Sequence, residues 1–383
     1  MHLINTKDNY LALCVVSIMM VACSSGGDSG GSTATPGTTT VHSVYVANFG
    51  SNNVSQYTID ATTGALSPKA NASIATVAGP TSVTVDPSGK YAYVANSSNE
   101  VISQYTIGAG GALNAMNPPT VASGSAGSGP TAVTIDPAGK YAYVANSSSF
   151  EVSQFTIGTG GALTPMTPVT VTSGTVYPGP VSVTVDPAGK YVYVVNKGDN
   201  NVSQYNIDAM TGALTAMSVA TVATGANPSS VKIDPTGKYA YVANYGDNTI
   251  SQYNIVAGVL TPMTPATVGG PTTALSLPTS IAIDPTGMYA YVANGSGVYQ
   301  YVISSGKLTG MIPPTISSGG FTPQSVAVDT SGKYVYVVNQ SSDNIAQFVI
   351  GAGGLLSHLT PPTVGVGAVN AQPYSITAAV STR

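Results

Sequence analysis

From residue 43 to residue 377 the chain is built of short stretches in which apolar and polar residues alternate with a period of two, and no helical periodicity runs between them. Pro80-Thr81-Ser82-Val83-Thr84-Val85 is one such stretch and predicts a strand. It runs into Asp86-Pro87-Ser88-Gly89-Lys90, which predicts a tight turn. There the Asp carboxylate can accept local backbone hydrogen bonds, Pro presets φ, and Gly permits the left-handed residue that reverses the chain. Tyr91-Ala92-Tyr93-Val94-Ala95-Asn96 predicts the returning strand, and Val101 to Ile107 a third. After a turn at Gly110-Gly111-Ala112-Leu113, Pro119-Thr120-Val121 lies in a short fourth strand. Proline there predicts an outer edge, where a missing N–H costs no ladder hydrogen bond.

The second strand recurs seven times, closing at Asn48, Asn96, Asn146, Asn196, Asn244, Asn294 and Asn339, at intervals of 45 to 50 residues. A unit this short cannot bury its own apolar faces and must stack on copies of itself. Four strands per unit and seven units predict an all-β fold, a seven-bladed propeller of four-stranded antiparallel blades. Six Pro-initiated first strands begin at Pro80, Pro130, Pro180, Pro228, Pro278 and Pro323, but none precedes the strand at 45–48. Its counterpart is Pro373-Tyr374-Ser375-Ile376-Thr377 at the other end of the chain. Pairing of the two would complete the first blade, close the ring and remove two open sheet edges.

The first forty residues follow a different pattern. Lys7 precedes an apolar run from Leu11 to Ala22, which matches a secretory core and is too short to span a bilayer. Met20-Val21-Ala22-Cys23 resembles a bacterial lipobox, with Met where Leu is usual. The resemblance implies a signal peptide over 1–22, acylation of Cys23, and anchoring at the cell envelope, with Ser24 favouring the outer membrane. Ser, Gly, Thr and Ala dominate residues 23–40 and predict a flexible tether, leaving 41–383 for the propeller. The only other cysteine, Cys14, falls in the signal, so no disulfide framework is available to the ring. Lys and Arg total 11 against 15 acids, and no basic stripe appears, which argues against nucleic acid as a partner. A monomer that meets the membrane only through its lipid is expected.

Val-Asp-Pro-x-Gly-Lys-Tyr-x-Tyr-Val-x-Asn, followed by Ser-Gln-Tyr-x-Ile and Gly-Ala-Leu, is similar to the repeats of the seven-bladed lactonase-family propellers, of the 6-phosphogluconolactonase and muconate cycloisomerase type. It is similar also to the surface-associated YVTN-repeat proteins. The resemblance covers residues 43 to 380 and implies His, Arg and Glu side chains at the channel mouth, where a lactone carbonyl would be polarised. This chain offers none of them there. Its one arginine is Arg383, its histidines are His2, His42 and His358, and its two glutamates, Glu100 and Glu151, occupy hairpins that the ring should separate.

Subtracting the periodic residues leaves few candidates for chemistry. The turn Asp and Lys residues and the repeated methionines Met116, Met166, Met217, Met263 and Met311 read as scaffold. Lys232 breaks the pattern, standing where other copies have Thr84, Thr134, Thr184, Ala282, Ala327 and Thr377, and could place a cation between blades or toward the channel. Thr81, Thr131, Ser229, Lys232, Thr279, Gln324 and Tyr374 are the candidate binding residues of the channel mouth, with Tyr245 a further exposed anchor. No catalytic residue, cofactor or metal motif is evident, since no Cys/His pattern, Asp-rich loop or phosphate loop occurs. The preferred expectation is therefore a non-enzymatic binding or scaffolding module for a small molecule, carbohydrate or protein. A lactone hydrolase or cycloisomerase is the alternative, with Lys232 as its electrophile.

Overall fold

A computed structural model describes residues 40–175, 177–269, 277–295 and 297–382. The signal region, Cys23, the tether up to residue 39 and Arg383 lie outside the described residues, and Thr40 already opens the first strand. Seven four-stranded antiparallel sheets follow one another, and their innermost strands touch in cyclic order. Pro80–Val85, Tyr91–Asn96, Val101–Ile107 and Leu113–Ala122 form one blade from inside to outside. The outer strand is longer than its sequence pattern suggests. It opens at Leu113, and Ala115 and Thr120 pair with residues only two apart on the third strand, Tyr105 and Ser103, so the proline-bearing segment between them bulges outward.

The turn Asp does what its side chain allows. Asp86 Oδ1 accepts the N–H groups of Lys90 and Tyr91, Oδ2 accepts that of Ser88, and the same bonds recur at Asp136, Asp186, Asp234, Asp284 and Asp329 with small variations. These buried carboxylates answer backbone donors rather than the neighbouring lysines.

Apolar side chains form seven separate cores, one between each pair of blades. Four of the repeated methionines, Met166, Met217, Met263 and Met311, are buried. Two side-chain bonds cross every interface. Gln104 Oε1 accepts the Leu163 N–H of the next blade at 2.7 Å, while its Nε2 donates to the carbonyl of Pro118 in the bulge of its own. Tyr93 Oη–H donates to the Gly161 carbonyl at 2.6 Å. Gly161 has φ +83°, and a Cβ there would lie 2.2 Å from the ring of Tyr91, so the hairpin needs glycine for both its conformation and its closeness.

The ends of the chain close the ring. Pro373–Thr382 pairs antiparallel with Thr40–Asn48, twice the length that the match at 373–377 suggests. The last interface carries the same pair of bonds, Leu66 N–H to Gln347 Oε1 and Tyr336 Oη–H to the Gly64 carbonyl. Deleting residues 371–383 removes the innermost strand of one blade, and the expected outcome is a broader thermal transition at lower temperature. Unchanged cooperative melting by calorimetry would count against closure as the source of stability.

Burial also holds the interface tyrosines protonated. Desolvation pushes Tyr45 and Tyr253 up to about 12 from their ordinary 10.0. A raised folded pKa contributes stability that is complete below pH 10 and disappears as pH climbs through the folded value. The melting temperature should therefore hold from pH 8 to 9.5 and fall steeply above about pH 10. Circular-dichroism melts across that range test it, and a flat profile to pH 12 refutes it.

Candidate functional site

The innermost strands converge on the axis without hydrogen-bonding to one another as a ladder, so their side chains must join them. Where each of these strands begins, they surround an open cavity of about 440 Å³, within the range of small-molecule sites. Its wall is made by the two residues after each strand's proline and by three residues from the turn after the second strand.

At the first of the two positions, hydroxyls staple blade to blade. Thr81 Oγ1 lies 3.3 Å from the Ala95 carbonyl of its own blade and 3.1 Å from the Pro130 carbonyl of the next. Thr131, Ser229 and Thr279 repeat the arrangement with Pro180, Pro278 and Pro323. Their single protons are thereby committed to the scaffold. Val181, Gln324 and Tyr374 occupy the same position without the staple and line the cavity. Tyr374 packs against Phe49 with ring centroids 6.2 Å apart, and burial raises its phenol pKa.

At the second position the roles reverse. Ser82 Oγ accepts the Val133 N–H of the next blade at 3.3 Å, and Ser182, Ser230, Ser280, Ser325 and Ser375 do the same for Val231, Ile281, Val326, Ile376 and Val83. The seventh copy is Ala132. A hydroxyl that accepts keeps its own proton free, and none of these six donates to an acceptor among the described residues.

Lys197, Tyr245 and Gln340 complete the wall. All three follow the Asn that ends the second strand, a position that reads Phe49, Ser97, Ser147, Lys197, Tyr245, Gly295 and Gln340 around the ring. Lys197 Nζ stands 5.7 Å above the Tyr245 ring, within cation–π range. Lys197, Gln340, Val181 and the second-row serines were not among the candidates read from the sequence, and Lys197 and Gln340 stand out among them because they break the repeat. The signal of Lys197 and Gln340 was variation at one repeat position directly after a strand whose last residues are nearly constant.

Lys232 is not part of the cavity wall. It follows Ser230 by two residues on the same strand face, which puts it about 7 Å deeper along the axis. Its side chain reaches water while protein encloses it on all sides, as expected for a side chain standing in the axial channel. That enclosure disfavours the ammonium and lowers its pKa, with no carboxylate opposing the effect. Nor does it have a hydrogen-bond or ionic partner among the described residues.

The remaining candidates lie elsewhere. Glu100 and Glu151, expected to be separated by the ring, reach one loop: Glu100 Oε2 accepts the Gly127 N–H at 2.8 Å and Glu151 Oε2 the Ser125 hydroxyl at 2.7 Å. They fasten the connection between two blades and take no part in the cavity wall. His358 is exposed on an outer strand against Phe348, with ring centroids 4.8 Å apart. His42 lies in the strand that receives the C-terminal strand. Among the described residues no group of acids, histidines or cysteines could hold a metal.

A family model described as Lactonase, 7-bladed beta-propeller matches residues 43–369. Solved structures share the fold. A Bacteroides fragilis protein proposed as a 6-phosphogluconolactonase superposes with a TM-score of 0.74 at 23% identity, covering 88% of this chain and 98% of that one. The Pseudomonas aeruginosa periplasmic gluconolactonase gives 0.74 at 19% identity, over 88% and 99%. A Lactobacillus plantarum protein gives 0.74 at 20%, over 89% and 100%. No curated relative matches the chain.

Proposed function

The chain belongs to the lactonase family of seven-bladed β-propellers, and on that basis we propose that the mouth of its ring takes a small polyhydroxylated lactone and hydrolyses it to the sugar acid. The observation that carries this is the cavity on the axis, hydroxyl-lined, of small-molecule size and provided with a cation in Lys197. The solved relatives that are described as lactonases support the substrate class. This favours the hydrolase over the binding module that the sequence alone suggested.

Ester hydrolysis places negative charge on the carbonyl oxygen as water attacks; the ring C–O bond then breaks, one proton of the water ends on the freed alcohol oxygen, and the other is released as the sugar acid ionises. Lys197 and the free serine protons can stabilise the charge, and Gln324, Gln340 and Tyr374 can orient the hydroxyls of the ring. The wall contains no imidazole or carboxylate to remove the proton, so solvent takes it. A single well-placed oxyanion donor is worth roughly 10²–10³ in rate, and acceleration of that modest order is expected.

The missing base is also the one observation that favours a second reading, in which the same cavity binds a sugar or sugar acid without turnover. A pH-stat assay over a panel of five- and six-membered sugar lactones separates the two. Wild type should exceed the spontaneous rate, and Lys197→Met should lose about tenfold in kcat/KM. No turnover above the blank for any lactone leaves the binding reading standing alone.

Export and acylation at Cys23 belong to the same proposal. They are supported by Lys7, the apolar run 11–22, the lipobox-like Met20-Val21-Ala22-Cys23 and the tether that follows. In a bacterial host, labelled palmitate should enter the wild-type chain and fail to enter Cys23→Ala, with membrane-fraction recovery falling in parallel. Equal labelling of both proteins rules out that anchor.

A further inference from the structure

We propose that the axial channel beneath the mouth is a binding site for a small oxyanion, a carboxylate or a phosphate, seated on Lys232 and on the free protons of the surrounding serines. Two independent features of the ring converge on it.

The first is the direction of the hydrogen bonds. Ser82, Ser182, Ser230, Ser280, Ser325 and Ser375 each accept a backbone N–H from the next blade, which leaves six O–H donors around one axis. Accepting an N–H also polarises a hydroxyl and strengthens it as a donor. The threonine and serine hydroxyls one residue earlier spend their protons on carbonyls between the blades, so among the aliphatic hydroxyls of the wall the free donors are those of the second row. A neutral polyol would match alternating donors and acceptors equally well. Each of these hydroxyls still has a proton to give, and the ammonium beneath them can only donate, so the set favours a ligand rich in acceptors.

The second is the charge. Lys232 continues the face of Ser230 one pleat deeper, enclosed by the channel and without an anionic partner among the described residues. In the other six copies this position holds Thr or Ala, so the scaffold does not need a cation there. An ammonium standing below a row of free donors, and desolvated by the protein around it, lacks only its counter-ion.

This rests on the lactone reading to the extent that hydrolysis would leave a carboxylate at the mouth, but anion binding can be measured without turnover. Calorimetric titration of the full chain with sodium gluconate, with inorganic phosphate and with sorbitol makes the test. At least one anion should bind ten or more times more tightly than sorbitol, and gluconate against phosphate tells which oxyanion the channel accepts. Lys232→Thr restores the residue of the sister blades and should fold, yet lose about tenfold or more in anion affinity. Lys232→Arg should keep it within about threefold. Sorbitol binding as tightly as the better of the two anions, no binding of either anion, or a Lys232→Thr protein that binds as wild type overturns the proposal. Turnover of a lactone without anion binding overturns this inference alone, and anion binding without turnover overturns only the hydrolase.

Discussion

Every blade depends on a glutamine that belongs to its neighbour. At or next to the start of each outer strand stands a leucine whose buried N–H is met from the preceding blade, where Gln56, Gln104, Gln154, Gln204, Gln252, Gln300 and Gln347 each offer it Oε1. Left unmade, such a bond would cost about 1–3 kcal/mol per interface. The amide of the same glutamine holds its own outer strand through the bulge, so one side chain fixes both the shape of a blade and its docking. Because the contact always runs from one blade to the next, it is satisfied throughout only if the last blade meets the first. Gln347 and Leu66 make that closing bond.

The site follows from how such a ring must meet at its centre. Inner strands are edges, and seven edges around one axis cannot pair as a sheet. Small hydroxyl side chains fill the gap, with Thr81 and its counterparts giving protons to carbonyls and Ser82 and its counterparts taking N–H groups. The cavity therefore inherits a defined polarity from the scaffold itself. The proposed function draws on the few positions that the scaffold leaves unconstrained, namely Lys197, Tyr245, Gln324, Gln340 and Tyr374 in the wall and Lys232 below it.

Legibility in the sequence tracked periodicity. The blade order, the Asp turn and the C-terminal strand could all be read, because each repeats or completes a repeat. Lys232 also stood out, being a break in a repeat, although its depth did not show. Lys197 escaped because it lies in a polar turn beside strongly patterned strands, where a lysine looks like ordinary surface. Glu100 and Glu151 looked separated because neighbouring hairpins are far apart along the chain, and only the path of the 125–127 loop between them brings both to one place. Tyr374 could be placed at the mouth because it follows a proline that marks the innermost strand.

The sequence by itself determined the number of blades, the order of strands within each and the way the ends meet, since alternation and turn chemistry are local and are repeated seven times over. Tertiary structure alone decided which hydroxyls give their protons to the scaffold and which keep them, which cation stands at the mouth and which in the channel, and which loop joins the two glutamates. Those outcomes depend on distances between blades some fifty residues apart in the chain, and a pattern read along one strand holds no measure of the gap to the next.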